Sequence, residues 1–174
     1  MTDELAATYD PVYKVNPPLR SAADVQAVCA GLADGTIDAV ATDHAPHPME
    51  DKECEWAAAA FGMLGLETAL SVVQHTMVDT GLLDWAGVAD RMSVRPARIG
   101  RLAAHGRSLA VGEPANLVLY DPSVTGVVRA QDSASLSRNT PYAGMTLPGR
   151  VVATYLRGRC TTAVETVPSV MGAA

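Results

Sequence analysis

The stretch "IDAVATDHAPHPMEDKE", residues 37–53, decides how this chain is read. It opens with a short apolar run, Ile37–Val40, of the kind that forms a buried strand. Asp43 stands at the C-terminal end of that run, followed by a loop carrying His44, His47 and the further acids Glu50, Asp51 and Glu53. A carboxylate at a strand end suits a metal ion or a proton-transfer step. It equally suits an Asx-turn that closes a strand–loop junction. His44 follows Asp43 directly and therefore points elsewhere. His47 lies four residues on, across Pro46, and can return toward the same pocket. Neither spacing matches a helical metal signature such as H-E-x-x-H, and a catalytic zinc needs about three protein ligands.

Moving outward, "PVYKVNPPLR" (11–20) alternates Val12 and Val15 before a Pro-Pro turn, which predicts a strand running into a loop. Ser21 and Asp24 form a capping box, with Val25, Val28, Cys29 and Leu32 at helical spacing behind it and Gly35 as the stop. Leu66, Leu70, Val73, Met77 and Val78 predict a second helix, "DWAGVADRMS" a third capped by Asp84, and Pro96 the start of a short fourth. Strand–helix alternation implies parallel strands, with Asn16 and Asp43 at neighbouring strand ends on one edge. From about Gly106 the texture changes. "ANLVLYD", "TGVVRA" and "VVATYLRG" are short β-rich runs between turn residues. The expected division is therefore 1–105, α/β, and 106–174, β-rich. Two strand–helix units do not close an eight-stranded barrel, so the first part reads as a piece of a larger sheet.

Composition bounds the partners. The 174 residues are 48% hydrophobic and 18% charged, with a net charge of −6 and no basic stripe. Nucleic acid and anionic membrane surfaces are excluded as expected partners. The longest apolar run, "WAAAAFGMLGL", falls short of the ~18 residues of a membrane span. "MTDELAATYD" carries neither the basic start nor the apolar middle of a secretory signal, and three cysteines at wide spacing read as free thiols. The expected compartment is the cytoplasm.

Several further stretches have both a chemical and a structural reading. Asn16 and Arg20 in "KVNPPLR" suit a carboxylate ligand, or else a turn and a solvated arginine. Phe61 and Gly62 open "FGMLGLET", where glycines expose backbone N–H groups to an anion, or simply lead into a helix. His75, His105, Cys54 and Met63 read as packing or solvated residues. "SRNTPY" reads as a polar loop.

Taken in order, "KVNPPLR", "DAVATDHAPH", "FGMLGLETAL", "RPARIG", "GEPANLVLYD" and "NTPYAGMTLPGRVVATYLRGR" closely resemble the C-terminal part of the bacterial dihydroorotase family, within the amidohydrolase superfamily. The ordered series spans almost the whole chain, and it is the series rather than any one motif that is specific. The resemblance implies an α/β fold: the C-terminal part of a β/α (TIM-like) barrel, followed by a small β-rich domain. It implies a zinc-dependent cyclic amidohydrolase interconverting N-carbamoyl-L-aspartate and dihydroorotate in pyrimidine synthesis, through a metal-bound hydroxide. Asp43 matches the catalytic aspartate, both zinc ligand and proton shuttle. Asn16 and His47 match substrate contacts, and Phe61 and Gly62 a backbone contact with the dihydroorotate ring. Arg20 has no matched role.

The resemblance also carries a departure. The family's His-x-His pair, its acidic or carboxylated ligand and two further histidines precede the matched region and are absent here, so the chain reads as a C-terminal fragment, inactive and zinc-free alone. "ANLVL" has Asn116 where the family commonly has Asp. The alternatives are a non-catalytic partner of aspartate carbamoyltransferase and another cyclic amidohydrolase, a hydantoinase or allantoinase. A homo-oligomer is a further expectation.

Overall fold

The computed structural model describes residues 1–163, so the end of the expected β-rich segment, 164–174, lies outside the described residues. Two short 3-10 turns, Asp3–Thr8 and Pro11–Tyr13, lead into helix α1, Ala22–Asp34. The α1 start is the capping box that Ser21 and Asp24 predict. The Asp24 N–H donates to Ser21 Oγ at 3.3 Å, and the Ser21 N–H to Asp24 Oδ2 at 3.2 Å. Gly35, with φ 93°, closes the helix in the left-handed conformation that glycine adopts without steric cost. A one-turn helix α2, Met49–Lys52, follows the histidine loop.

Two longer helices carry the core. The first begins as α3, Ala69–Val73, and runs on as a π-helical stretch, Gln74–Val78. The second runs from α4, Trp85–Ala89, through a π-helical stretch, Asp90–Val94, into α5, Arg95–Ile99. Asp84 caps it by accepting from the Gly87 N–H at 2.7 Å. Pro96 therefore does not begin a separate helix. A proline ring crowds the carbonyl four residues back, and the widened turn immediately before Pro96 relieves that contact, so the helix passes through. Leu66 also lies outside its predicted helix and is exposed, because the helix begins only at Ala69. Leu32, Val73, Met77 and Val88 form the buried cluster, flanked by Cys29, Ile37, Val40, Leu70, Leu83 and Met92. Val28, on the predicted apolar face of α1, is exposed.

The β-rich half is a three-stranded antiparallel sheet in the order β1 (Leu117–Val127), β2 (Thr146–Leu156), β3 (Arg159–Ala163). "LVLYD" and "TGVV" belong to one strand, not two. The register shifts between Asp121 and Thr125, where Pro122 has no N–H to give to the ladder. Arg157 and Gly158, at φ 51° and 79°, make the tight turn from β2 to β3. The helices and the sheet meet at Tyr120, whose hydroxyl donates to Gln74 Oε1 at 2.7 Å. The Gln74 amide in turn donates to the Pro122 carbonyl at 3.1 Å. Gly149 packs so closely there that a Cβ on it would lie 1.8 Å from the Tyr120 hydroxyl oxygen.

One expectation is corrected. Residues 12–15 and 37–43 are not strands, so Asn16 and Asp43 do not stand at strand ends. Among the described residues, parallel pairing is limited to a single bridge between His44 and Met63, with the Ala45 N–H donating to the Met63 carbonyl at 3.0 Å. A parallel strand takes its ladder bonds from neighbouring strands. The described residues supply none beside these two segments.

Candidate functional site

Asp43 occupies the left-handed region, φ 44°. That conformation is uncommon for residues other than glycine, although Asp tolerates it better than most, and it concentrates where structure serves function. The side chain is exposed, and its carboxylate has neither a hydrogen bond nor an ion pair among the described residues. The Asx-turn reading is thereby removed. The amide two residues on, Ala45 N–H, donates to Met63 instead. The aspartate is held in a costly backbone conformation with its carboxylate left open.

Both histidines of the loop are bound to backbone groups. His44 Nδ1 accepts from the Gly65 and Leu66 N–H groups at 3.1 and 3.3 Å, which puts the proton of the neutral ring on Nε2. The ring is bound to the backbone at Gly65 and Leu66 and makes no hydrogen bond to Asp43. His47 Nε2 lies 2.9 Å from the Phe61 carbonyl. A carbonyl only accepts, so Nε2 carries the proton and Nδ1 is turned toward Asp51, 3.9 Å away. The structure therefore brings His47, Phe61 and Gly62 into one cluster. A Cβ on Gly62 would meet His47 Nε2 at 2.8 Å. Asn16 is exposed beside the cis Asn16–Pro17 bond, and its side chain has no partner among the described residues. Arg20 pairs with Asp24 of the capping box at 3.4 Å, on the exposed start of α1.

Three residues that the sequence reading passed over hold this cluster together. Asn139, in the loop "SRNTPY", donates through Nδ2 to the carbonyls of Ala45 at 2.9 Å and Gly62 at 3.3 Å. Its Oδ1 accepts from the His47 N–H at 3.3 Å. Lys52 is buried and donates to the carbonyls of Ala60, Gly62 and Lys14 at 2.9, 3.0 and 3.4 Å. Burial, and then the nearby Lys14 charge, push the Lys52 ammonium below its ordinary pKa. Lys14, also buried, donates to the carbonyls of Trp56 and Ala57 and lies 4.7 Å from the centre of the Phe61 ring. No local signal marks these residues: Asn139 and Lys14 reach across the sequence (for Asn139 and Ala45, 94 positions), and Lys52 reaches carbonyls eight and ten positions on, beyond any helical or strand spacing.

At the rim, Glu67 receives Ser133 Oγ and the N–H groups of Ala134 and Ser135. Burial alone would raise its carboxyl pKa. Those three hydrogen bonds outweigh burial and hold it below the usual carboxylate value.

The residues present do not fit a catalytic zinc by themselves. No group of three or more His, Cys, Asp or Glu side chains among the described residues is placed to hold a metal ion. His44 Nδ1 and His47 Nε2 are both committed to backbone groups. Asp43 stands as one potential ligand.

In fold and in sequence the chain is similar to the cyclic amidohydrolases. An L-hydantoinase (dihydropyrimidinase) from Arthrobacter aurescens superposes with a TM-score of 0.85 at 34% identity, covering 94% of this chain and 37% of that one. The particular likeness in sequence is to dihydroorotase. The Streptomyces coelicolor dihydroorotase is 68% identical over 161 residues, 92% of this chain and 38% of that protein. The Leifsonia xyli dihydroorotase is 60% identical over 161 residues, 92% of this chain and 37% of that protein. The chain thus spans somewhat over a third of the length of the curated relatives it matches. No protein-family model matches it.

Proposed function

We propose that this chain supplies the proton-transfer and substrate-contact half of a dihydroorotase, a metal-dependent enzyme interconverting N-carbamoyl-L-aspartate and dihydroorotate. In this reading residues 1–105 are the last part of a β/α barrel and 106–174 a segment of a small β domain. The observation that carries it is Asp43. Its carboxylate is exposed and unpartnered among the described residues, on a left-handed backbone, beside two histidines whose rings are held by backbone groups. In ring opening, Asp43 takes the proton of the attacking water and delivers it to the ring nitrogen as the C–N bond breaks. The substrate carboxylate carries negative charge, and Asn16, exposed and unpartnered among the described residues, is the side chain suited to anchor it; His47 would join it only by releasing its Nε2–H from the Phe61 carbonyl. The backbone at Phe61 and Gly62 faces the ring. A resident zinc would take Asp43 as one ligand and needs its other ligands from elsewhere in a longer enzyme. The same chain alone turns over nothing.

The high structural likeness to a hydantoinase makes ring specificity the point to test. The hybrid in which this chain replaces the matching segment of the Streptomyces coelicolor dihydroorotase is the appropriate protein. Loaded with zinc, it should open dihydroorotate and leave hydantoin and dihydrouracil essentially untouched. Preference for either neutral ring would assign the site to a hydantoinase instead.

A further inference from the structure

The Lys52 ammonium is a buried cation with no acidic side chain within ion-pair distance among the described residues. Its three donors are all taken by backbone carbonyls, of Ala60, Gly62 and Lys14. An arrangement so expensive in desolvation needs a reason, and the geometry of a trans peptide supplies one. Within one peptide plane, C=O and N–H point in opposite directions. Lys52 draws the Ala60 carbonyl inward, so the N–H of the same plane, that of Phe61, is turned away from it.

The other backbone groups of this turn are already used. The Gly62 N–H donates to the Lys14 carbonyl at 3.0 Å. The Gly62 carbonyl accepts from both Lys52 and Asn139. The Phe61 carbonyl takes His47 Nε2. The Phe61 N–H has no partner among the described residues, and Phe61 itself is 56% exposed.

From this, resting on the dihydroorotase reading above, we infer that Lys52 is a positioning residue: by gripping the Ala60 and Gly62 carbonyls it presents the Phe61 N–H as the one open backbone donor of this turn, among the described residues, for a substrate ring oxygen. Gly62 then serves through its lack of a side chain, and its own N–H is not the donor. Lys52 touches no reacting atom. Its effect is on binding, through the fixed direction of one N–H.

The test uses the zinc-loaded hybrid enzyme. Lys52→Met keeps the apolar stem and removes the ammonium. It should raise KM for dihydroorotate on the order of tenfold, as loss of a well-placed donor does, with kcat within about threefold and zinc retained. Asp84→Ala, which removes a remote helix cap, is the stability control and should lower the melting temperature with KM unchanged. Replacing the Ala60–Phe61 amide by an ester deletes the N–H with the Lys52 side chain still in place, although it also weakens the Ala60 carbonyl that Lys52 grips, and it stands alone should Lys52→Met fail to fold. It should raise KM similarly. Combined with Lys52→Met it should add little, because both remove the same donor. A KM that stays within about twofold of the parent in the ester variant overturns the inference. So does a Lys52→Met variant that loses stability like Asp84→Ala with KM unmoved. A folded, zinc-loaded parent hybrid that leaves dihydroorotate intact sinks the dihydroorotase reading and this inference with it, whereas an active parent with an unmoved KM sinks this inference alone.

Discussion

Gly62→Ala tests the architecture of the site more sharply than any side-chain deletion. Gly62 has φ 139°, a region that L residues rarely adopt, and strain of that type costs about 1–3 kcal/mol. The added methyl would also lie 2.6 Å from Ala45 Cβ and 2.8 Å from His47 Nε2, closer than real Cβ contacts come. Relieving it means moving the loop or the imidazole, a further ~1–3 kcal/mol on the scale of overpacked interiors. The two contributions together predict a loss of roughly 2–6 kcal/mol. Gly144→Ala is the matched control. Gly144 has φ 78° with nothing within 4 Å of the Cβ position, so it feels the backbone cost alone. Urea unfolding of the hybrid enzyme measures both losses, and nitrogen NMR of the His47 ring reports whether Nε2 keeps its hydrogen bond to Phe61. A Gly62→Ala enzyme no less stable than the Gly144→Ala enzyme, with the His47 ring signals unchanged, would refute the packing described here.

Three further outcomes are expected. Met77, 1% exposed at the centre of the Leu32–Val73–Val88 cluster, should cost about 2–5 kcal/mol when cut to alanine, seen as a fall in the urea midpoint, while exposed Val28→Ala should change little. Glu67 has a folded pKa below its free value of 4.5. Its contribution is therefore fully present above about pH 4.5 and is lost as pH falls through the folded value. Glu67→Gln should flatten that acid limb of the stability–pH curve, and an unchanged limb would rule the clamp out. The chain expressed alone should associate: its accessible surface is 11383 Å², against about 8,100 Å² for a compact monomer of 18.1 kDa. Counting residues 164–174 as fully exposed chain accounts for only about 1,500 Å² of that excess. Light scattering showing a monodisperse monomer with a sharp cooperative melt would count against the exposed-surface argument.

What the sequence disclosed follows from the range of the forces involved. The Ser21–Asp24 capping box, the Asp84 cap, the helix through Val73 and Met77, and the β-rich half were legible because each is set by residues three or four apart, or by strict alternation. Residues 12–15 and 37–43 carry a strand pattern in sequence without forming strands. An apolar run is a strand only when neighbours complete its ladder, and the sequence of the run says nothing of those neighbours. Pro96 has the sequence signature of a helix start because the π-helical widening ahead of it has no local signature. At the site, Asp43 and His47 stood out by residue type, and His47, Phe61 and Gly62 meet in space. Lys52 and Asn139, which fix that meeting, are illegible because their partners are backbone groups, and these carry no mark of residue type. Asn16 remains unconnected to the others by any hydrogen bond among the described residues.

The measurement that bears most directly on the account is the rate of dihydroorotate opening by the zinc-loaded hybrid, with Asp43 and with Asp43→Asn, at matched zinc content. If Asp43 carries the proton between water and ring nitrogen, kcat should fall by about 10²–10⁴-fold in the Asp43→Asn enzyme while zinc stays bound through its other ligands. A kcat within a few-fold of the parent at equal zinc occupancy would contradict the role assigned to Asp43, and with it the claim that this chain supplies the proton transfer.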